Sequence, residues 1–228
     1  MVVAYVKKVC EYSAGSPQGV HNLTWTATPA IGNLVVAVGH TGASGTAIAA
    51  TSSLGNPYAG DVASFGSASA FALSRIVTTG EQDISAGLNV SCTPADYLDF
   101  LAVELSAGAG FDASRLRASI TNAPGGSSTS YPCGSTNATP TADDVAIAAV
   151  GATSENPSIS AWTASFLAVA NTSGGWMAAA QRDLAAAGVV TTTATGASRS
   201  GRWGLIVVYR EIGGAAPTGR TRLGIFRP

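Results

Sequence analysis

Few residues in this chain have the chemistry to act on a substrate. Histidine occurs twice, as His21 and His40, and His40 closely follows the apolar run Leu34 to Val38. A lone His at a strand end reads as a hydrogen-bonded polar residue, not as a base. Serines are so frequent that Ser-His-Asp triads can be assembled on paper, and such a match has no weight without geometry. Asp143-Asp144 is a carboxylate pair at the start of an apolar run, and Glu104 is an acid beside another. A glycosidase needs two carboxylates about 5 to 9.5 Å apart across a cleft. Neighbouring strand residues point to opposite faces, so Asp143 and Asp144 read as a solvated turn and Glu104 as a residue that holds a loop. Cys10, Cys92 and Cys133 are odd in number and widely spaced, which fits buried free thiols and not a metal knuckle or a disulfide framework. No glycine cluster follows the strand-to-helix step of a phosphate loop. The residues therefore predict a non-enzyme with no catalytic residues, no cofactor and no metal. Sugar could still be bound by aromatic stacking, for which Tyr58, Trp162 and Trp176 are the candidates because they lie near turns. Trp25 and Trp203 lie in strands and belong to the core.

The elements that would position these residues are strands. Leu23, Trp25 and Ala27 alternate with threonines, the period of a half-buried strand. Pro29-Ala-Ile-Gly-Asn33 breaks the pattern, and Leu34 to Val38 is a continuous run of mostly β-branched residues, as in a strand buried on both sides or lying in a sandwich core. Strand, short turn and strand predict an antiparallel hairpin over 22–40. Further strands are expected at 2–9, 68–78, 84–92, 97–105, 144–152, 162–171, 189–195 and 202–212. Gly175 to Leu184 reads as a strand, although a short helix also fits. Residues 41–63 read as a long surface loop with at most one weak strand, turning at Gly55-Asn-Pro-Tyr58, and residues 113–141 as a connection. About ten strands at this spacing predict an all-β chain: a two-sheet antiparallel β-sandwich, jelly-roll-like, over residues 1–212.

Composition narrows the partners. Only 11% of residues are charged, against roughly 25% in ordinary domains, which fits either a surface covered by other subunits or a codon bias towards Ala and Gly. No Lys/Arg cluster is dense enough for nucleic acid. No apolar run reaches the eighteen residues of a membrane span, and the start Met1 to Cys10 lacks the order of a secretory leader, so no membrane insertion and synthesis in a cytoplasm are expected. Residues 213–228 follow the last strand as an extended C-terminal arm. The arm carries Arg220, Arg222, Leu223, Ile225, Phe226 and Arg227. It either packs back on the sandwich or reaches a neighbouring chain, for example by strand addition. The second is the expectation here, with these six residues as the assembly contacts.

The segments Thr28-Pro-Ala-Ile-Gly-Asn-Leu-Val-Val-Ala-Val38, Gly55-Asn-Pro-Tyr58, Leu101-Ala-Val-Glu-Leu-Ser-Ala-Gly108, Ala142-Asp-Asp-Val-Ala-Ile-Ala-Ala149 and Trp203-Gly-Leu-Ile-Val-Val-Tyr209 occur in an order that resembles a jelly-roll domain of tailed-bacteriophage virion proteins. Such domains occur in minor tail, head-decoration and spike components, and related ones in bacterial surface proteins. The resemblance spans about residues 20 to 212. It implies a structural or receptor-facing virion protein, partnered by other virion proteins and copies of itself, with no catalytic residues to carry over. The alternative expectation is a carbohydrate- or host-receptor-binding module that takes a surface glycan.

Overall fold

The computed structural model describes residues 3–212 except 14–15, 44–45, 63–68, 83–86, 137–139, 154 and 173–174. The arm at 213–228, with all six residues expected to make assembly contacts, lies outside the described residues. The chain is all-β, with sixteen strands and no helix among the described residues. In order they are β1 (Val3–Ser13), β2 (Gln18–Thr24), β3 (Leu34–Thr41), β4 (Ala47–Ser52), β5 (Ala59–Val62), β6 (Ser69–Ile76), β7 (Gly87–Asp96), β8 (Leu98–Ala107), β9 (Leu116–Asn122), β10 (Ser128–Ser135), β11 (Val145–Ala152), β12 (Ala161–Trp162), β13 (Leu167–Asn171), β14 (Met177–Asp183), β15 (Thr191–Arg199) and β16 (Arg202–Tyr209).

These strands form four antiparallel sheets. The first half of the chain makes a large sheet, β1-β8-β3-β6-β5, and a small one, β2-β7-β4. The second half makes a large sheet, β9-β16-β11-β14-β13, and a small one, β10-β15-β12. Numbered within its own half, each large sheet has the order 1-8-3-6-5 and each small sheet 2-7-4, so the chain is one topology used twice.

The two halves stack through their large sheets. Period two puts Leu34, Val36 and Val38 of β3 and Leu101, Val103 and Leu105 of β8 on one face. Val145, Ile147 and Ala149 of β11 and Leu205, Val207 and Tyr209 of β16 meet them in one central core. The opposite faces feed two outer cores. Val35, Ala37 and Phe100 pack on Leu88 and Val90 of the first small sheet, and Ala146, Ala148 and Ile206 pack on Tyr131 and Ala194 of the second. Every residue of β3, β11 and β16 is therefore buried, which is why these strands read as unbroken apolar runs.

Several elements differ from the sequence reading. Residues 22–40 are not a hairpin: β2 pairs with β7, and β3 lies between β6 and β8 in the other sheet. The Pro29–Asn33 turn carries the chain from one layer to the next, and Gly32 (φ 85°) donates its N–H to Val77 O at 2.9 Å. The 41–63 segment holds two short strands, and the supposed connection at 113–141 holds β9 and β10. Both regions are rich in Ser, Thr and Gly, so their strands rely on pairing with apolar neighbours more than on propensity. The strand preferred over a helix at 175–184 is β14.

Leu101 is fully buried in the central core between the halves. Leu101→Ala is expected to cost about 2–5 kcal/mol and, because both halves share that core, to lower one cooperative urea transition instead of splitting it in two.

Candidate functional site

The four central strands carry their apolar ladders to an end that is no longer apolar. Two steps beyond Val36 on β3 is Val38, then His40. On β8 the sequence Leu105, Val103, Leu101 ends in Asp99, which is paired with His40 in register. On the facing sheet the equivalent pair is Gly151 and Trp203. A Cβ at Gly151 would lie 2.6 Å from Cζ2 of Trp203, so the absence of a side chain there makes room for the indole. The indole packs against the imidazole of His40 with centroids 5.0 Å apart and planes at 44°.

His40 Nδ1 lies 3.2 Å from the carbonyl of Thr41, which accepts a hydrogen bond and so fixes the proton on Nδ1. Nε2 then presents a lone pair, 3.7 Å from Asp99 Oδ2. Burial lowers the imidazole to about 4, against smaller opposing effects from Thr41 and Asp96. Burial pushes the Asp99 carboxyl up to about 6, offset in part by Ser13. At neutral pH the imidazole is therefore uncharged and Asp99 is an anion, so the pair is not a salt bridge. His40 Nε2, Asp99 Oδ1 and Trp203 Nε1 are buried with no hydrogen-bond partner among the described residues. Each such group costs about 1–3 kcal/mol.

The other end of the central core is closed by its own groups. Tyr209 donates its hydroxyl to Asp61 Oδ2 at 2.6 Å, joining β16 of one half to β5 of the other. Arg115 donates from Nε and Nη2 to the hydroxyl and carbonyl of Ser74, each at 3.0 Å. Burial raises the Tyr209 hydroxyl well above its ordinary value, and the Asp61 carboxylate adds to that.

At the open end lies a cleft of about 710 Å3 lined from both halves. His40 and Asp99 are its buried part, 3% and 6% exposed, while Tyr97 is 48% exposed and Trp176 is half-buried. Asp96 also lines it, but its oxygens are engaged. Oδ2 accepts from Ala43 N and Thr46 Oγ1 at 2.9 and 2.8 Å, and Oδ1 accepts from Tyr97 N at 2.8 Å. Asp96 thus positions the loop and Tyr97. Among the described residues no group of three or more His, Cys, Asp or Glu side chains could hold a metal ion.

Of the three aromatics singled out for sugar stacking, only Trp176 lines this cleft. Tyr58 is buried in the first outer core, because its N–H bonds to Ala50 O and draws the ring inward. Trp162 is half-buried against the second outer core, on β12 opposite Ala194. Trp25 and Trp203 are core, and Trp25 donates its indole N–H to Glu81 O at 2.9 Å. Asp144 is not in a solvated turn: it is buried, accepting from Thr141 N at 2.8 Å and Arg117 Nε at 3.3 Å, while Asp143 is exposed at φ 76°. Glu104 does hold a loop, accepting from Ala30 N and Asn33 Nδ2 at 2.7 and 2.6 Å. His21 is satisfied on both nitrogens, by Tyr12 Oη and Asp96 O. All three cysteines are free and buried. Sequence reasoning passed over Asp99 and Tyr97. The available signal was an acid in phase with Leu101, Val103 and Leu105 within the most apolar strand.

Comparison of the chain with protein-family models, curated proteins and solved structures finds no match.

Two buried acids should respond oppositely to removal of their charge. Glu81 is opposed by burial, but hydrogen bonds from Arg75, Ser52 and Thr78 outweigh it and lower the carboxyl to about 2. Its stabilising contribution is present above its unfolded value near 4.5 and lost as pH falls towards 2. Asp99 is raised, so the folded state loses stability as pH rises from its unfolded value near 4 through about 6. By chemical denaturation at pH 7, Glu81→Gln is expected to destabilise by about 1–3 kcal/mol and Asp99→Asn to stabilise by a similar amount. The Asp99→Asn gain should fade as pH falls to about 4.

Proposed function

We propose that the chain is a non-enzymatic structural protein of a tailed-bacteriophage virion, a minor tail or head-decoration component, built to be held among copies of itself and other virion proteins. Four of the segments that resemble phage virion domains lie on the central strands β3, β8, β11 and β16 and residues next to them, and Gly55–Tyr58 lies between β4 and β5. Within each half the order 1-8-3-6 over 2-7-4 supports a jelly-roll reading in which the fifth strand joins the edge of the large sheet. The acids close to the cores mostly pin loops: Glu104 and Glu81 in the first half, Asp144 in the second. That use of charge makes a stiff block, as a repeated structural part requires.

One observation carries the assembly reading. Sheet edges are normally protected by charge, shortness or bulges. Of the four edge strands of the large sheets, β1 carries Lys7, Lys8 and Glu11, β5 is four residues long with Asp61, and β9 carries Arg117. The fourth, β13, is Leu-Ala-Val-Ala-Asn, five residues with an irregular register between Ala168 and Ala170, and it differs from the other three in having no charge and in leaving Leu167 63% exposed. Such an edge is suited to receive a strand from a neighbouring chain.

The chain is expected in purified phage particles at a fixed copy number by quantitative mass spectrometry. Leu167→Lys is expected to fold with the parent's melting temperature but to incorporate at least about tenfold less, since a charge on an open edge blocks strand addition. Absence of the chain from particles, or incorporation of the variant at the parent's level, would overturn the proposal.

A further inference from the structure

The cleft at the open end of the central core points to a ligand, independently of the virion reading. Its buried part presents two neighbouring hydrogen-bond acceptors, His40 Nε2 and Asp99 Oδ1, neither with a partner among the described residues. Towards the opposite end of the same core Tyr209 donates to Asp61 and Arg115 to Ser74, and Gln181 Oε1 on that side is buried without a partner among the described residues. At the cleft end two acceptors have no donor among the described residues and open into a space from which a ligand could supply them.

The chemistry of those donors is constrained on three sides. First, both orphaned atoms accept at neutral pH, so the ligand must bring at least two donors close together. Second, no Lys or Arg is among the described residues that line the cleft, and Asp99 and Asp96 put negative charge into it. An anionic ligand is therefore repelled. Third, the more open lining includes two aromatic rings, Tyr97 and Trp176, together with Ser13 and Thr153 hydroxyls. Rings of this kind pack on the C–H face of a ligand, and the hydroxyls either donate or accept. A volume of about 710 Å3 is in the range of pockets that take a small organic ligand and is larger than a simple ammonium group fills. We infer that the cleft between the two halves binds an uncharged saccharide, with vicinal hydroxyls donating to His40 Nε2 and Asp99 and the sugar ring flanked by Tyr97 and Trp176.

Two further features support the assignment. Asp96 is engaged in holding Tyr97, Ala43 and Thr46, so the Tyr97 backbone is fixed while its ring stays half in water. The cleft is also lined by both halves of the chain, Thr153 and Trp176 coming from the second. A bound sugar would then bridge the halves and stabilise the native state by mass action.

The test uses the full chain and a panel of methyl glycosides of glucose, galactose, mannose and N-acetylglucosamine, with their common disaccharides. Tryptophan fluorescence and the melting temperature are the readouts. At least one neutral glycoside is expected to bind with a dissociation constant of about 0.1–10 mM and to raise the melting temperature. Asp99→Asn, Trp176→Ala and Tyr97→Ala are each expected to weaken that binding by about tenfold or more. Tyr97 is half-exposed, so its truncation tests the contact without emptying the core. N-acetylneuraminic acid and choline, as the anionic and cationic probes, are expected not to bind. Failure of every neutral glycoside, binding by the three variants equal to the parent's, or preferential binding of choline or N-acetylneuraminic acid would overturn the inference.

Discussion

The packing of the two large sheets on each other is the contact on which the rest of the structure depends. In an isolated sandwich each sheet has a wet outer face. Here the would-be outer face of each large sheet is covered by the other half, and the central strands have no solvent side at all. That removes the polar half of the alternation from β3, β11 and β16 and most of it from β8. It also favours small side chains. Ala146, Ala148 and Ala149 on β11, and Ala178, Ala179 and Ala180 on β14, lie between layers that would otherwise be forced apart. Low charge content follows in part from this geometry, because three cores in one chain leave few positions where a charge meets water.

That arrangement decides what the sequence could reveal. The run Leu34 to Val38 suggested burial on both sides, and the structure supplies the second covering layer, which also buries Trp203 to Tyr209. What the runs could not show is the identity of that layer. The repeat lies in strand order and pairing, not in residue identity. Leu-Val-Val-Ala-Val of β3 and Val-Ala-Ile-Ala-Ala of β11 fill equivalent places with different side chains. Strands β9 and β10 were hidden because Ser, Thr, Gly and Pro satisfy their half-buried positions as readily as a loop. The 22–40 hairpin failed for a related reason: a short turn between two strands is equally suited to crossing from one layer to the next, and local spacing does not distinguish the two.

The charged residues divide into two uses that sequence alone could not separate. Glu104, Glu81 and Asp144 each accept from backbone N–H groups of a nearby turn, and each has a cation within 4 Å, from Lys7, Arg75 and Arg117. Arg202 likewise donates to the carbonyls of Gly125, Gly126 and Ser130 and lies over the Tyr131 ring. These groups are paid for by the turns they hold. Asp99 looks the same in the sequence, an acid within or beside an apolar run, but it lies in phase with the core ladder and faces an imidazole that is itself uncharged. Periodicity gives its face; only the facing sheet shows that nothing there neutralises it.

The meaning of that difference lies in how the two halves fill equivalent positions. His40 and Asp99 occupy the same register in the first large sheet as Gly151 and Trp203 in the second. Had both halves kept the His/Asp pair, four polar groups would meet at the end of the core. Had both kept Gly/Trp, two indoles would compete for one space. The actual combination sets one bulky ring against one imidazole and leaves the acid beside them without a counter-charge. A fold selected only for rigidity would fill this end with apolar side chains, as it does the middle of the same four strands, or close it with a satisfied network, as it does at Tyr209 and Asp61. It does neither, and the residues around the exception, Tyr97 and Trp176, are aromatic and partly open to water. The departure from internal equivalence, the unpartnered atoms of His40, Asp99 and Trp203, and the cleft therefore coincide at one place. That coincidence separates a binding site from a packing defect, since a defect has no reason to gather exposed aromatic rings around it.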